Sequence, residues 1–364
     1  MNSSITFVAP EIYSLISKGN SHYGGAEVQQ LLIAEELQKN GYPVYFITFS
    51  DHNYEILYYN NIKIFVIPRF LKILRIFNIF ARFYNLWITM RKIDSSNYYL
   101  RVPSIMAFYI TIFCKIYNKN FLFATANDRH CNNDIYQLLS KTRVELYKYS
   151  LKNAYRVITQ TRKQKFLIKE YFNTESIIIP NIVRRINITH NSMNNYILWV
   201  GTISEKKQPH LLIDLAKNNS AVKFIIVGGR NKKNPDYSEI IINEFSKISN
   251  IDYYGPVSYN EMHNIYIKGL ILLNTSTSEG FPNTYLEAWM HNMPVITCFD
   301  PDNIIFDNKL GIVFQDASEL DKIIKDSLSN NLLIKQLGNN GRNYVEKYHT
   351  SEKIISLYEK LIFH

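Results

Sequence analysis

The sequence predicts two α/β domains, each built on a parallel sheet, and three observations carry that reading. Short β-rich runs alternate with helix-length segments from one end of the chain to the other. At 364 residues the chain has room for about two domains with cores of their own. Several runs end in glycine (Gly201, Gly228–Gly229, Gly255), where a strand hands over to a loop.

In the first half the strand-like runs are Ile5–Ala9, Val44–Phe49, Ile62–Ile67, Phe121–Thr125, Val157–Thr159 and Ile177–Ile179. In the second they are Tyr196–Val200, Phe224–Val227, Asp252–Tyr254, Leu270–Leu273, Val295–Thr297 and Ile312–Phe314. The polar segment Asn181–Asn195, NIVRRINITHNSMNN, separates the two series and is the expected domain link. The last segment, Ser351–Phe363, carries Ile354, Leu357, Tyr358 and Leu361 at helical spacing.

Composition bounds the class. With 46% apolar and 20% charged residues, this is a folded chain and not a disordered one. Cys114, Cys131 and Cys298 form no C-x-x-C pair, which excludes a disulfide framework and a cysteine zinc knot. The opening MNSSITFVAP lacks the basic start and long apolar core of a signal peptide, so the expected compartment is the cytoplasm. Ile105–Phe113 is too short to cross a bilayer, and Arg75 and Arg82 interrupt Ile73–Ile88. The net charge is +10, unevenly spread: residues 1–200 hold 24 basic and 12 acidic side chains, residues 201–364 hold 17 and 19. An anionic partner approaching the first half is the expectation.

In open parallel sheets ligands bind at the carboxyl ends of strands, so the chemistry is sought there. Ser278-Glu279-Gly280-Phe281-Pro282-Asn283-Thr284-Tyr285-Leu286-Glu287-Ala288 follows the strand ILLN and opens a helix. Unsatisfied N–H groups at a helix start suit a phosphate, and carboxylates on either side can grip hydroxyls. A competing reading has equal weight: Thr284-x-x-Glu287 is also a capping box, in which Glu287 serves only its own helix. A second loop, Gly201-Thr202-Ile203-Ser204-Glu205-Lys206-Lys207, places a lysine six residues after the strand end, where it can neutralise a leaving phosphate. A solvated surface lysine is the alternative. In a third, Gly24-Gly25-Ala26-Glu27, paired glycines permit close backbone approach and positive φ, or form a plain turn. Val28, Leu31 and Leu32 give the following helix an apolar face that Glu35 interrupts.

The segment Glu279–Glu287 resembles the E-x7-E signature of retaining GT-B glycosyltransferases, in particular glycosyltransferase family four, the glycosyl transferases group 1. The Gly201 loop is similar to that family's strand–G-R-L–…–K element: Lys207 aligns with its lysine, and Thr202 stands where its arginine is expected. Gly24-Gly25-x-Glu27 resembles the family's GG-x-E, and Pro180-Asn181 its P-N-G. Gly255 with Glu261–Gly269 resembles the stretch that meets the nucleobase. The resemblance implies two Rossmann-like domains facing across a cleft: an acceptor-side domain at 1–185, a nucleotide-sugar donor domain at 186–345, and a helix at 346–364 returning to the first domain. It implies a retaining transfer from a nucleotide-diphosphate sugar to a saccharide or lipid-linked saccharide, with no metal and no further cofactor. Lys207 and the helix start after Pro282 meet the diphosphate, Glu287 the ribose, and Glu279 with the amides of Gly280–Asn283 the donor sugar, with Phe281, Pro282 and Thr284 among the donor-binding residues. Gly24, Gly25, Gly201 and Thr202 complete the donor contacts.

Other candidates are weaker. Asp128 and His130, in Asn127-Asp128-Arg129-His130, are placed after a strand for proton transfer to or from an acceptor hydroxyl, with ordinary polar loop residues as the alternative. Arg101 reads as an acceptor contact or a surface arginine. Asp300-Pro301-Asp302 has the form of a metal–diphosphate motif, yet its proline favours a loop, and no histidine spacing suggests a metal. From Ile56 to Ile93 no acidic residue occurs, while Lys63, Arg69, Lys72, Arg75, Arg82, Arg91 and Lys92 mix with Phe65, Phe70, Phe77, Phe80, Phe83, Tyr84 and Trp87. That mixture at 63–92 predicts peripheral contact with an anionic inner membrane face, or else a core helix with a solvated basic face. No nucleic-acid module accompanies the patch. Two other functions remain: a nucleotide-sugar 2-epimerase of the same fold, and a non-catalytic membrane-associated binding protein, prompted by Thr202.

Overall fold

A computed structural model of the chain describes residues 3–16, 24–51, 53–69, 75–187 and 196–362, the side chains of 75–80 excepted. Residues 188–195 of the expected link, and Phe70, Lys72 and Ile73, lie outside the described residues.

The first sheet has eight strands: β1 (Ile5–Val8), β2 (Val44–Ser50), β3 (Glu55–Tyr59), β4 (Ile62–Pro68), β5 (Asn97–Arg101), β6 (Asn120–Ala124), β7 (Arg156–Thr159) and β8 (Ile177–Ile178). Their order is β3-β4-β2-β1-β5-β6-β7-β8. Every pairing is parallel except β3 with β4, which corrects the expectation of a purely parallel sheet. The cause is a two-residue hairpin: Asn60 and Asn61 both take positive φ (45° and 64°), as a tight turn between antiparallel strands requires. Strand β5, which is not among the runs expected from the sequence, is a buried central strand paired to β1 and β6.

The chain divides into two compact units. One extends to Ile182 and takes back Ser351 onward; the other holds Val183–Thr350. In the first, the Ser351–Ile362 helix packs on the Gly25–Lys39 helix: Asn40 Nδ2 donates to Glu359 Oε1 at 2.9 Å, and the rings of Tyr99 and Tyr358 lie 6.2 Å apart. The returning helix starts later than residue 346 because the Asn331–Tyr348 helix is continuous and packs on Asn283–Met290. Glu35, the apparent flaw in an apolar face, is buried and accepts a hydrogen bond from Asn60 Nδ2 at 2.7 Å.

The described part of the aromatic–basic segment is largely the Arg75–Ile93 helix. Phe83, Leu86 and Met90 share one helical face and enter the core with Phe65 of β4. Trp87 packs edge-on to Phe113 at 5.1 Å, and Arg82 lies over the Phe49 ring at 5.9 Å with its pKa lowered by burial. Among the described aromatics of the segment only Tyr84 is exposed, at 66%, with Ile88 nearby at 45%. Phe65, Phe83 and Trp87 of the described aromatics therefore stabilise the fold. None of the described helices is long and apolar enough to cross a membrane.

The second sheet comprises β9 (Tyr196–Val200), β10 (Lys223–Val227), β11 (Ile251–Gly255), β12 (Gly269–Asn274), β13 (Val295–Thr297) and β14 (Gly311–Val313). It is parallel throughout, in the order β11-β10-β9-β12-β13-β14. The central strands β9 and β12 end in the two loops singled out by their residues, Gly201–Lys207 and Thr275–Pro282. Their adjacency is what builds a site.

Candidate functional site

The Gly201 loop closes in a 3-10 turn, Glu205–Lys207, ended by Gln208 at φ 46°. The neighbouring loop fastens that turn through its backbone. Lys206 O accepts from Thr277 N at 3.1 Å and Thr277 Oγ1 at 3.3 Å, and Lys207 O accepts from Thr275 Oγ1 at 2.6 Å. Thr275 Oγ1 in turn accepts from buried Trp199 Nε1 at 3.0 Å, so the β9 strand holds the β12 loop. Lys207 Nζ then forms an ion pair with Glu279 Oε1. Burial acts to raise the Glu279 pKa, but the charge and hydrogen bond of Lys207, joined by Lys206 and Ser276, hold it below the ordinary carboxylate range. Lys207 is thus an ordered, paired cation and not a solvated one. Thr202 is exposed at the mouth of the same loop.

The capping-box reading of Thr284-x-x-Glu287 is corrected. The Asn283–Met290 helix has Pro282 as its N-cap, so Thr284 already lies inside it and does not cap it. Glu287 instead accepts from Tyr259 Oη at 3.1 Å, and Arg184 lies over the Tyr259 ring at 5.2 Å. Desolvation pushes the Glu287 pKa up to about 7 against the opposing effects of Tyr259 and Arg184. Behind it His291 Nδ1 donates to Glu287 O at 2.6 Å, leaving Nε2 to accept from His263 Nδ1 at 2.9 Å. Burial holds His291 neutral, with a pKa of about 4. Gly280, Phe281 and Pro282 are buried, and Phe281 packs on His349 with ring centres 5.1 Å apart. Tyr259, Arg184, His263 and His291 were not singled out in the sequence. Tyr259, His263 and His291 had a signal there: the first beside and the second inside the stretch assigned to the base, the third four residues beyond Glu287.

In the first unit, Gly24 is the N-cap of the Gly25–Lys39 helix, and its N–H donates to Glu27 Oε2 at 3.0 Å. Its φ is −110°, so the glycine pair is not there for positive φ at Gly24; a Cβ would lie 2.9 Å from that carboxylate oxygen. Asp128 and His130 share the short turn Asp128–His130 and are both buried. Asp128 Oδ1 accepts from Gln164 Nε2 at 3.1 Å and Oδ2 pairs with Lys163 Nζ at 2.9 Å. His130 Nδ1 accepts from Ala126 N at 3.3 Å, which places its proton on Nε2. Arg101 is no surface arginine: it is buried and donates to Asn181 Oδ1 at 2.8 Å. Val102 follows at φ 84°, a strained conformation for a β-branched residue at a strand end. Asp300 caps a helix, accepting from Ile305 N (2.9 Å) and Phe306 N (3.0 Å), which accounts for the Asp-Pro-Asp motif without a metal.

Two parallel-sheet α/β units with a carboxy-terminal helix packed in the first define a GT-B fold. Residues 183–344 match the family model of the glycosyl transferases group 1. Among curated relatives, an uncharacterized glycosyltransferase of Methanocaldococcus jannaschii is 26% identical over 223 residues, 59% of this chain and 62% of that protein. The O-antigen chain mannosyltransferase RfbU of Salmonella typhimurium is 30% identical over 156 residues, 42% of this chain and 44% of its own. The matches thus span less than two thirds of those relatives' length. Among solved structures, Anabaena HepE in complex with UDP and glucose superposes with a TM-score of 0.77 at 15% identity, covering 98% of each chain.

Proposed function

We propose that this protein is a retaining glycosyltransferase that needs no metal and no resident cofactor. It moves a sugar from a nucleotide-diphosphate sugar to a hydroxyl of a saccharide or lipid-linked saccharide, in surface polysaccharide or glycolipid synthesis. The Lys207–Glu279 pair, fastened between the β9 and β12 loops, is the observation that carries this reading. Lys207 meets the diphosphate as negative charge develops on it, and the start of the Asn283–Met290 helix adds its dipole. Glu279 and the backbone at Gly280–Asn283 hold the donor sugar, and Glu287 the ribose. Gly24 and Gly25 are assigned to the donor's sugar side. Of the acceptor candidates His130 is better suited than Asp128, whose two oxygens already engage Gln164 and Lys163. RfbU's mannosyl transfer in O-antigen synthesis supports the substrate class.

The test is incubation with UDP-, GDP-, ADP- and dTDP-sugars, with and without saccharide acceptors. A product with the donor's anomeric configuration is expected. An epimerised sugar nucleotide formed from donor alone turns the assignment to the 2-epimerase reading, and no turnover at all turns it to the non-catalytic one.

The ribose assignment has a pH signature. A carboxylate accepts hydroxyl hydrogen bonds fully only when ionised, and Glu287 is half protonated at about pH 7. Nucleoside diphosphate affinity therefore rises about tenfold from pH 6 to pH 8. Titration calorimetry across that range checks it, and Glu287→Gln flattens the profile.

We place the protein at the cytoplasmic membrane face, in peripheral contact through the 63–92 segment. The exposed Tyr84 and Ile88 support this, not the aromatic count. Flotation with phosphatidylglycerol vesicles at low salt recovers the protein in the lipid fraction, and Tyr84→Ser with Ile88→Ser reduces that recovery. Absence of the wild type from the lipid fraction counts against membrane contact.

A further inference from the structure

We infer that a cavity at the amino ends of β7 and β8 binds a phosphorylated monosaccharide. It belongs to the first unit alone and does not depend on the donor assignment. The cavity measures about 350 Å³ and is lined by the end of the Lys141–Asn153 helix, the start of β7 and the segment leading into β8. That volume suits a small organic ligand better than a bare inorganic ion. Because β6, β7 and β8 run parallel, this end of the sheet is opposite the one that carries the Asp128–His130 turn.

The charges of the lining select an anion. Lys152 and Arg156 are both exposed, and neither enters an ion pair among the described residues. Arg156 is held by its neighbour: the guanidinium lies over the Tyr155 ring at 4.4 Å, and Nη1 donates to Tyr155 O at 2.9 Å. Its Nε and Nη2 remain available to a ligand. Glu175, the acidic residue of the lining, is paired with Lys169 of the Arg162–Phe172 helix. Two cations thus stand at the cavity without a counter-anion. A phosphate monoester, close to doubly charged at neutral pH, matches both, whereas a diester leaves one unmatched.

The rest of the lining suits a sugar. Ser176 is only 5% exposed, and its Oγ has no hydrogen-bond partner. A buried polar atom left unpaired costs stability, so its presence beside a cavity points to a partner that arrives with the ligand. A sugar hydroxyl can donate to it or accept from it. Leu151 and Val157, both buried, give the apolar wall on which the C–H face of a sugar ring can rest.

Calorimetry on the full chain tests this with glucose-6-phosphate and glucose-1-phosphate as probes, and with glucose, inorganic phosphate and glycerophosphoinositol as controls. At least one hexose phosphate binds about tenfold more tightly than any control. Lys152→Gln combined with Arg156→Gln weakens it about tenfold or more and removes most of its salt dependence. Ser176→Ala weakens it about fivefold, the loss of one neutral hydrogen bond, while the melting temperature without ligand stays at or above that of the wild type. Lys207→Ala, in the other unit, leaves this affinity unchanged. No binding of either hexose phosphate overturns the inference, as does binding that survives the Lys152 and Arg156 changes. Equal affinity for the diester glycerophosphoinositol overturns the monoester in favour of a lipid headgroup. Loss of binding in Lys207→Ala places the ligand on the donor loops instead, which overturns this site and leaves the transferase reading standing.

Discussion

Lys207→Ala lowers kcat/KM for sugar transfer by a factor of about 10² to 10³, the scale seen when one preorganised group that stabilises developing charge is removed. The assay uses the donor selected by the sugar-nucleotide panel. Two effects must be separated, because the lysine is also the partner of Glu279. Without it, the desolvated Glu279 carboxylate loses the charge and the hydrogen bond that hold its pKa down, so the single variant also loses stability. The sign is definite: a depressed folded-state pKa contributes stability above the unfolded pKa, and that contribution is lost as pH falls through the folded value. Removing Lys207 abolishes it at neutral pH. Lys207→Ala combined with Glu279→Gln removes the unpaired charge, so thermal stability recovers while transfer does not. Activity of Lys207→Ala within threefold of wild type would refute the assignment of the diphosphate to this lysine.

Gly228→Ala is expected to cost about 3 kcal/mol of stability or more, by forcing both backbone strain and a backbone clash. The residue has φ 156°, and an added Cβ would stand 1.7 Å from Gly201 O and 2.7 Å from Gly201 C. Neither chain segment can retreat cheaply. Gly201 N donates to Val227 O at 2.9 Å, Gly228 N to Gly255 O at 2.9 Å, and Tyr253 Oη to Gly228 O at 2.8 Å. The three strand ends β9, β10 and β11 are therefore locked at the point where the Lys206–Lys207 turn begins. Urea unfolding reads the loss directly. Nucleoside diphosphate affinity of whatever protein remains folded falls as well, since Gly201 must shift. A midpoint equal to wild type would show that the loop accommodates the methyl group and that its position is not set by this contact.

Much of this site was legible because its signals are local. The E-x7-E loop, the Gly201–Lys207 loop and the strand runs before them are patterns within ten or so residues, each dictated by strand period, loop glycines and a helix start. The Asn60-Asn61 hairpin has a local signal, two adjacent turn-forming residues, but its antiparallel partner β3 carries alternating exposed side chains rather than a buried run. In the aromatic–basic segment composition does not separate core rings from exposed ones: Phe65 of β4 and Phe83 of the Arg75–Ile93 helix enter the core, while Tyr84 is exposed.

By itself, the sequence determined the α/β class, the parallel sense of most strands and the positions of the loops that follow β9 and β12, since these follow from hydrophobic period and backbone freedom along the chain. Tertiary structure alone decided which charges meet. Lys207 and Glu279 are 72 residues apart, and Tyr259 and Glu287 are 28 apart. The first pairing depends on β9 and β12 being neighbours in a sheet whose order no local pattern encodes, and the second on the Tyr259–Glu261 turn after β11 meeting the Asn283–Met290 helix. Burial likewise settled Glu35, Arg101 and Glu287. A carboxylate or guanidinium reads the same in sequence whether solvated or enclosed, and only the surrounding atoms set its partner, its pKa and its use.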